Sequence, residues 1–406
     1  MRSRGARHGL VVLLAALGAL GLAGATAATC AAGAAGVAGA AGPAVPLESA
    51  VATSAGGSWV ALPMGQPSGP GNTFWQLVHA GAHSAGTSPS WSVVTPPGAA
   101  DNGGLAAAVS SGPDGTVLAG VLPSGLLRFS PLSLSGDGGT SWEPQFLPGG
   151  LTARPDSLAY GGTVSGVAVA LLRKGDTVVS GAGLSSWKPL ASAAALRRVG
   201  TACAVTTIDA VAVLPDGTPA VATGCTRAQV GLFERAQGGW RADGGALPGA
   251  LAGAVTSVVQ LATDGTTKAE LVWAQRGRHR WLVGLWQTGS SPWTASAPLP
   301  VPAGSDVRST SIDAQGGFSV LIGAGRALLA LGSAGPAAWT RYPVPPRGTV
   351  ALAPPPPTTS TSSGAWGLDA FAVHGSTLDV YALTPAGAAW TKVQTIEVPL
   401  TYGSSA

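Results

Sequence analysis

Seven tryptophans set the terms on which this chain can fold. Trp91, Trp142, Trp187, Trp240, Trp293, Trp339 and Trp390 each follow a cluster of Gly, Ser, Ala or Pro and open a short extended run, as in SWSVVTPP, SWEPQFLP and AWTKVQTIEVP. Their intervals are 51, 45, 53, 53, 46 and 51 residues. A recurrence at about 50 residues marks a repeated supersecondary unit, one too small to bury its apolar face without a neighbour.

Each interval reads as strands. Between Trp187 and Trp240, the runs TTIDAVAVLPDG, TPAVATG and VGLFERAQGGW are apolar or alternating and rich in Val, Thr and Ala, the pattern of half-buried extended chain. The run after the tryptophan adds a fourth strand. PDGT at 113–116 and 215–218 and TDGT at 263–266 join the first two strands, because Asp and Gly tolerate the positive φ of tight hairpins. With 61 Gly and 32 Pro, no window after the leader combines caps with a 3.6-residue period.

A four-stranded antiparallel sheet in every interval predicts an all-β chain and, specifically, a β-propeller, in which sheets stack face to face around an axis. Seven blades are expected, with SWVALP and TFWQLVH supplying strands of the first; six and eight stay open. The run QTIEVPLTYG near the C-terminus is expected to pair beside the N-terminal blade and close the ring. PPPPTTSTSS, 354–363, reads as a loop inserted in the last blade.

Ser135, Asp137, Gly139, Ser141 and Trp142 stand at the spacing S-x-D-x-G-x-[ST]-W in SGDGGTSW. This is the Asp box, and on it the chain resembles the sialidase-like, BNR-type propellers. The box spans eight residues, whereas the looser tryptophan repeat spans about 300. GLSSW, AQGGW, GSSPW, GPAAW and AGAAW keep the tryptophan and lack the aspartate. The resemblance implies a turn between the third and fourth strands of a blade, with serine and aspartate binding turn amides and tryptophan packed between sheets. That role is structural.

Sialidases in that family also use an Arg-Ile-Pro motif, an arginine triad, an acidic proton donor and a tyrosine activated by glutamate. Arg-Ile-Pro is absent, and before Arg128 arginine occurs only in the leader. Among the four tyrosines only Tyr160 falls on an expected innermost strand, and no glutamate does. No catalytic residue is assigned; a divergent sialidase-like glycoside hydrolase is the alternative reading, and there Asp156, near the start of an inner strand, is the one axial carboxylate to be placed. G-x-S-x-G does not occur, so no nucleophile elbow is expected. His79 and His83 read as exposed polar residues on strand and loop, no Cys/His cluster has zinc spacing, and no cofactor or metal is expected.

Residues 1–30 read as a signal peptide: Arg2, Arg4 and Arg7 precede the apolar LVVLLAALGALGLAGA. The protein is therefore expected outside the cytoplasm, secreted or lipid-anchored to the outer face of the cell membrane. AATC ending at Cys30 resembles a lipobox, with Thr29 and Ala27 departing from the usual residues; lipidation and removal of Cys30 both stay open. Cys203 and Cys225 remain as an even pair and are expected to bridge in an oxidising compartment, closing a loop of about 23 residues worth roughly 3 kcal/mol. Residues 31–50 form an Ala/Gly/Pro linker, and 51–406 the folded domain, expected as a monomer.

Without the three leader arginines the chain holds 19 basic and 18 acidic residues, so its basicity is no argument for nucleic acid. The distribution of charge says more. The connectors from second to third strand, and from fourth strand to the next blade, carry Arg154, Arg173, Arg227, Arg276, Arg278, Arg280, Arg308 and Arg326, with Lys174, Arg197, Arg198 and Arg347. Against these stand Asp101, Asp156, Asp176 and Asp306. One basic face focuses a field that gathers anions, and guanidinium groups bind carboxylate or phosphate bidentately. The densest element is RGRHRW, where the Trp281 indole adds a stacking surface. The expected partner is an anionic glycan, an envelope polymer or an acidic protein.

Overall fold

The computed structural model describes residues 49–54, 56–64, 74–83, 89–96, 105–111, 116–121, 132–144, 155–161, 166–172, 177–182, 184, 186–200, 203–263, 266–313, 316–336, 338–356, 367–383 and 389–398. About two thirds of these residues are strand, arranged as seven antiparallel sheets, each contiguous in sequence.

The first sheet is β1 Ala50–Ser54, β2 Gly57–Met64, β3 Phe74–Gly81 and β4 Ser92–Val93. The second is β5 Leu105–Ser111, β6 Val117–Val121, β7 Leu132–Ser135 and β8 Glu143–Pro144. The third is β9 Ser157–Gly161, β10 Val167–Leu172, β11 Thr177–Ala182 and β12 Ser186–Ser192, followed by the four-residue helix α1 Ala193–Leu196. The fourth is β13 Val205–Val213, β14 Pro219–Cys225, β15 Val230–Ala236 and β16 Gly239–Asp243. The fifth is β17 Val255–Thr263, β18 Thr267–Arg276, β19 His279–Thr288 and β20 Thr294–Ala295, with β21 Leu299–Val301 also paired to β19. The sixth is β22 Asp306–Ile312, β23 Phe318–Ala324, β24 Ala327–Ser333 and β25 Thr340–Arg341, and the seventh is β26 Thr349–Ala353, β27 Leu368–His374, β28 Thr377–Leu383 and β29 Thr391–Glu397.

Turn chemistry closes the β13–β14 hairpin as the sequence suggests, while 113–115 and 264–265 of the other two such turns lie outside the described residues. Between β13 and β14, the Asp216 carboxylate accepts the Thr218 N–H at 2.9 Å, and Gly217 takes φ +83°, a conformation that costs a side-chain-bearing residue about 1–2 kcal/mol. Second strands such as PAVATGC of β14 and FSVLIGA of β23 are buried along most of their length. Their runs of small and branched residues, apolar but for Thr223 and Ser319, follow from having a sheet on both faces.

Seven apolar clusters lie between sheets, each shared by two consecutive ones. Trp59 and Leu77 of the first sheet meet Val117 and Ala119 of the second; Leu118 and Leu132 meet Ala168 and Ala170 of the third; Val169 and Leu171 meet Val221 and Phe233 of the fourth. Ala222 and Leu232 then meet Val272 and Leu285 of the fifth, Leu271 and Leu282 meet Val320 and Ile322 of the sixth, and Leu321 meets Leu352 and Ala370 of the seventh. The last cluster joins Phe371 and Val380 back to Val60, Leu62 and Trp91 of the first. At about 1.5–3 kcal/mol per buried Val, Leu or Phe side chain, these contacts hold the sheets in a closed circuit.

The circuit closes differently from the sequence expectation. QTIE of the C-terminal run belongs to β29 and pairs with β28 of its own sheet, and residues 399–406 lie outside the described residues. Side chains make the junction instead: Ser49 Oγ donates to Val350 O at 3.0 Å, and Ser58 Oγ donates to Pro354 O at 3.3 Å. The remainder of the proline-rich loop, 357–363, is also outside the described residues.

Candidate functional site

Arg276 pairs with His279 across the β18–β19 hairpin, which leaves Gly277 and Arg278 as a two-residue turn with Gly277 at φ +61°. Glycine at the first central position suits such a turn, whose twist matches the strands. Arg276 Nη1 donates to Ala252 O at 2.9 Å, and its guanidinium stands 5.8 Å from the Trp281 ring centroid. Arg280 Nη1 donates to Ser305 O at 3.1 Å, and its guanidinium lies 5.7 Å from the Trp273 ring. The Trp281 ring is thus engaged by Arg276 and, at 5.9 Å, by the His279 imidazole.

The predicted cations fall into two sets. Arg276, Arg280, Arg308, whose Nε stands 3.5 Å from Asp306 Oδ2, and Arg197, which donates to Val205 O and Thr206 O, are tied into the fold. Arg198, Arg227, Arg278, Arg326 and Arg347 are exposed, and their guanidinium groups make no hydrogen bond or ion pair among the described residues. Arg154 and Arg173 lie outside the described residues.

The Asp-box residues form the corner between β7 and β8. Gly139 N–H donates to Ser135 Oγ at 2.7 Å, Ser141 N–H to Asp137 Oδ1 at 2.9 Å, and Ser141 Oγ to Asp137 Oδ2 at 2.6 Å. The two Ser141 donors and the Ser135 hydroxyl hold the Asp137 carboxyl down at about 2. Trp142 Nε1 reaches Val94 O of the first sheet at 2.8 Å. Every donor and acceptor here serves the turn or the neighbouring sheet.

Other indoles repeat that reach to the preceding sheet. Trp293 Nε1 donates to Asp243 Oδ1 at 3.1 Å, Trp339 Nε1 to Ala297 O at 3.1 Å and Trp390 Nε1 to Pro343 O at 3.1 Å. Trp91 donates to Asp369 Oδ2 of the seventh sheet at 3.1 Å. Burial pushes the Asp369 carboxyl up to about 7, with the Trp91 hydrogen bond opposing.

Three arrangements went unread in the sequence. First strands bond to the next sheet through a polar side chain: Ser157 Oγ accepts the Val211 N–H at 3.3 Å, Asp209 Oδ2 the Val258 N–H at 2.8 Å, and Ser309 Oγ the Leu352 N–H at 3.0 Å. The amides they meet lie beside bulges in β13, β17 and β26. Ser157 and Asp209 stand 52 residues apart and Ser309 a further 100, one and two steps of the repeat, which is the available signal.

Second, Glu270 on β18 is wholly buried, with neither carboxyl oxygen hydrogen-bonded among the described residues. Burial chiefly, then the charge of Asp243, pushes it up to about 8; Lys268 opposes and Asp209 adds a smaller push. Nearby, Lys268 pairs with Glu234 and Asp243, and Arg241 pairs with Glu234. Glu270 is closed to any substrate. Third, His79 stacks on Trp59 with ring centroids 4.5 Å apart, and burial lowers its pKa, so it is a packed residue rather than the exposed one expected.

Cys203 and Cys225 are bridged, with Cα atoms 5.6 Å apart. Among the described residues no group of three or more His, Cys, Asp or Glu is placed to hold a metal ion. No helix among them is long and apolar enough to cross a membrane.

No protein-family model matches the chain, and no curated protein matches it. Among solved structures, a catalytically inactive virginiamycin B lyase from Staphylococcus aureus is similar at 10% identity and TM-score 0.41, over 82% of this chain and 90% of that one. The fucose-specific lectin from Aleuria aurantia is similar at 12% identity and TM-score 0.38, over 88% and 98%. A putative 6-phosphogluconolactonase from Bacteroides uniformis is similar at 13% identity and TM-score 0.39, over 70% and 82%. At these identities and scores, no activity and no residue role passes from them to this chain.

Proposed function

We propose that the chain is a seven-bladed β-propeller that acts outside the cytoplasmic membrane as a non-catalytic binding scaffold, with its arginine-bearing face taking an anionic glycan or envelope polymer. Among the described residues, seven antiparallel sheets, six of four strands and one of five, joined by seven intersheet clusters in a closed circuit support the propeller. The leader supports export, and the Cys203–Cys225 bridge suits an oxidising compartment. Cys30 either takes the lipid anchor or leaves with the leader.

One observation carries the binding role. Arg227, Arg278 and Arg326 sit exposed at the same end of consecutive sheets, while the Arg276, Arg280 and Trp281 contacts stiffen the hairpin between them. The Arg276 and Arg280 contacts order the backbone that carries Arg278, which lowers the cost of presenting it to an oxyanion. The alternative, a glycoside hydrolase, needs two accessible carboxylates; Glu270, Asp209 and Asp369 are buried, whereas Asp156, directly before β9, is exposed.

Titrating the protein with polygalacturonate and with neutral dextran tests this reading. Binding of polygalacturonate is expected at about 50 mM salt and at least tenfold weaker at about 500 mM, where charges more than a few ångström apart are screened. Equal binding of dextran, or affinity that ignores salt, overturns it.

A further inference from the structure

Three of the exposed arginines without a hydrogen bond or ion pair among the described residues, Arg227, Arg278 and Arg326, occupy one repeated place. In the fifth sheet the tip of the second-to-third-strand hairpin is Gly277–Arg278; in the sixth, Ala324 pairs with Ala327 and the tip is Gly325–Arg326, with Gly325 at φ +62°. In both, glycine takes the left-handed position and arginine follows it. In the fourth sheet the equivalent connector runs from Cys225 to Val230, and there Arg227 itself sits at φ +67°, followed by Ala228 at φ +56°. Arg227, Arg278 and Arg326 therefore recur at 51 and 48 residues, the step of the tryptophan repeat.

Turn propensity does not explain arginine at these tips. The seventh sheet has the same turn, Gly375–Ser376 between paired His374 and Thr377, and carries no charge there. In the fourth sheet the arginine is kept at a cost, because left-handed backbone outside glycine is strained by about 1–2 kcal/mol per residue. Its surroundings hold it in place: Ala228 N–H donates to Ala254 O at 2.8 Å, Leu247 N–H donates to Ala228 O at 2.9 Å, and Cys225 is bridged to Cys203.

The tips are also neighbours. The connector 252–254 meets Ala228 of the fourth sheet through Ala254 O and Arg276 of the fifth through Ala252 O. Ser305 O, just before β22 of the sixth sheet, accepts from Arg280 of the fifth. Three sheets in succession thus present one unpaired guanidinium each, on the same side, at the step from one sheet to the next.

We propose that Arg227, Arg278 and Arg326 form a row of contacts for a linear polymer carrying an oxyanion, carboxylate or phosphate, on its repeating units, so that one chain engages several tips at once. The proposal rests on the binding role above and narrows it from an anionic ligand to an extended, multivalent one. Each tip alone is an exposed ion-pairing site of small worth. Linked anions turn the second and third contacts into intramolecular events, which raises affinity without any new contact.

The test is a length series of oligogalacturonates, from the disaccharide to about twelve units, with inorganic polyphosphate of matched charge as a second arm. It is run on the wild type, on Arg227→Ala, Arg278→Ala and Arg326→Ala, and on the triple variant. Affinity is expected to climb more than tenfold along the series beyond the linear gain from extra binding registers, and each single variant to weaken the long oligomer about two- to fivefold. The triple variant is expected to flatten the length dependence. Preference between the two arms identifies the oxyanion.

Polymer binding that persists with no length dependence, or that the triple variant leaves unchanged, overturns the row while leaving the broader binding role standing. Absence of any polyanion binding by the wild type overturns both. Thermal melting of each variant separates lost contacts from lost folding, and Arg227→Gly is expected to melt higher than wild type because it relieves the left-handed strain.

Discussion

The Trp91 seam and the Trp142 corner begin from the same sequence device, a tryptophan at the start of a fourth strand with an aspartate nearby in space, and put the aspartate to opposite use. Asp137 at the corner is surrounded by donors from Ser135 and Ser141 and is driven toward its charged form, its pKa held down at about 2. Asp369 in the seam receives the Trp91 indole, and burial drives it toward its neutral form, up to about 7. The contrast shows what each aspartate is for. The corner needs a fixed acceptor at a chain reversal; the seam needs one that survives burial between sheets with no covalent connector.

That missing connector explains the rest of the seam. Consecutive sheets elsewhere are tied by the chain, and their indoles at Trp142, Trp339 and Trp390 reach backbone carbonyls close by. First and seventh sheets lack such a tie. Gln394 of β29 accepts the Trp91 N–H at 2.9 Å and donates to Trp91 O at 2.8 Å, while the indole stands edge-on to Phe371 at 4.7 Å between centroids. Both ends of one residue's backbone and its side chain are held by the other end of the chain.

Removing the indole is the harshest way to break this comparison. Trp91 is 2% exposed, whereas Trp390 is partly exposed. Trp91→Ala is therefore expected to cost about 3–5 kcal/mol, the range for a large buried aromatic, and Trp390→Ala distinctly less. Urea denaturation of both variants checks the difference. Equal costs would mean that the closing seam is no more demanding than an ordinary one.

Next comes Asp369→Asn, which keeps the acceptor for Trp91 and removes the titration. Because the folded pKa lies above the unfolded one, the wild type binds more protons folded than unfolded over the intervening range. Its stability falls as pH rises from about 4 to about 7 and then levels off. Asn has no such loss. The variant is expected to melt higher than wild type at pH 8, by several degrees, with the gap closing toward pH 4. A gap independent of pH would show that the seam does not perturb this carboxyl.

How much of this was legible depends on the range of the interaction. The strands, the hairpin turns and the corner at Ser135–Trp142 follow from local rules of alternation, glycine placement and short hydrogen bonds, and the sequence carries those directly. The Trp91 latch joins residues about 300 positions apart, and nothing in PSWSV or VQTIE marks Gln394 for it. Inner-strand residues Ser157, Asp209 and Ser309 look like turn formers in the sequence, and the amides they meet lie beside bulges in the first strand of the next sheet. The sequence shows which connectors carry arginine; which guanidinium groups are spent on Ala252 and Ser305, and which are exposed without a partner among the described residues, depends on a third dimension.

Gln394→Ala sharpens the seam on a smaller scale. It removes both amide contacts and leaves the Trp91 N–H and carbonyl unpaired, an effect of about 1–3 kcal/mol where those groups stay dry. Amide exchange at Trp91 should accelerate with it, and an unchanged exchange rate would place the hold on Trp91 in the indole alone.

The corner gives the smallest effect, and its sign is the informative part. Asp137 is exposed, and its folded pKa lies below the unfolded one, so what it contributes is present above about pH 4 and lost as pH falls toward 2. Asp137→Asn is expected to remove that acid-side loss without altering the neutral-pH response that Asp369 governs. Melting curves of the two variants between pH 2 and pH 8 should therefore bend at opposite ends. If both bend at the same end, burial and donor count are not what separates the two aspartates.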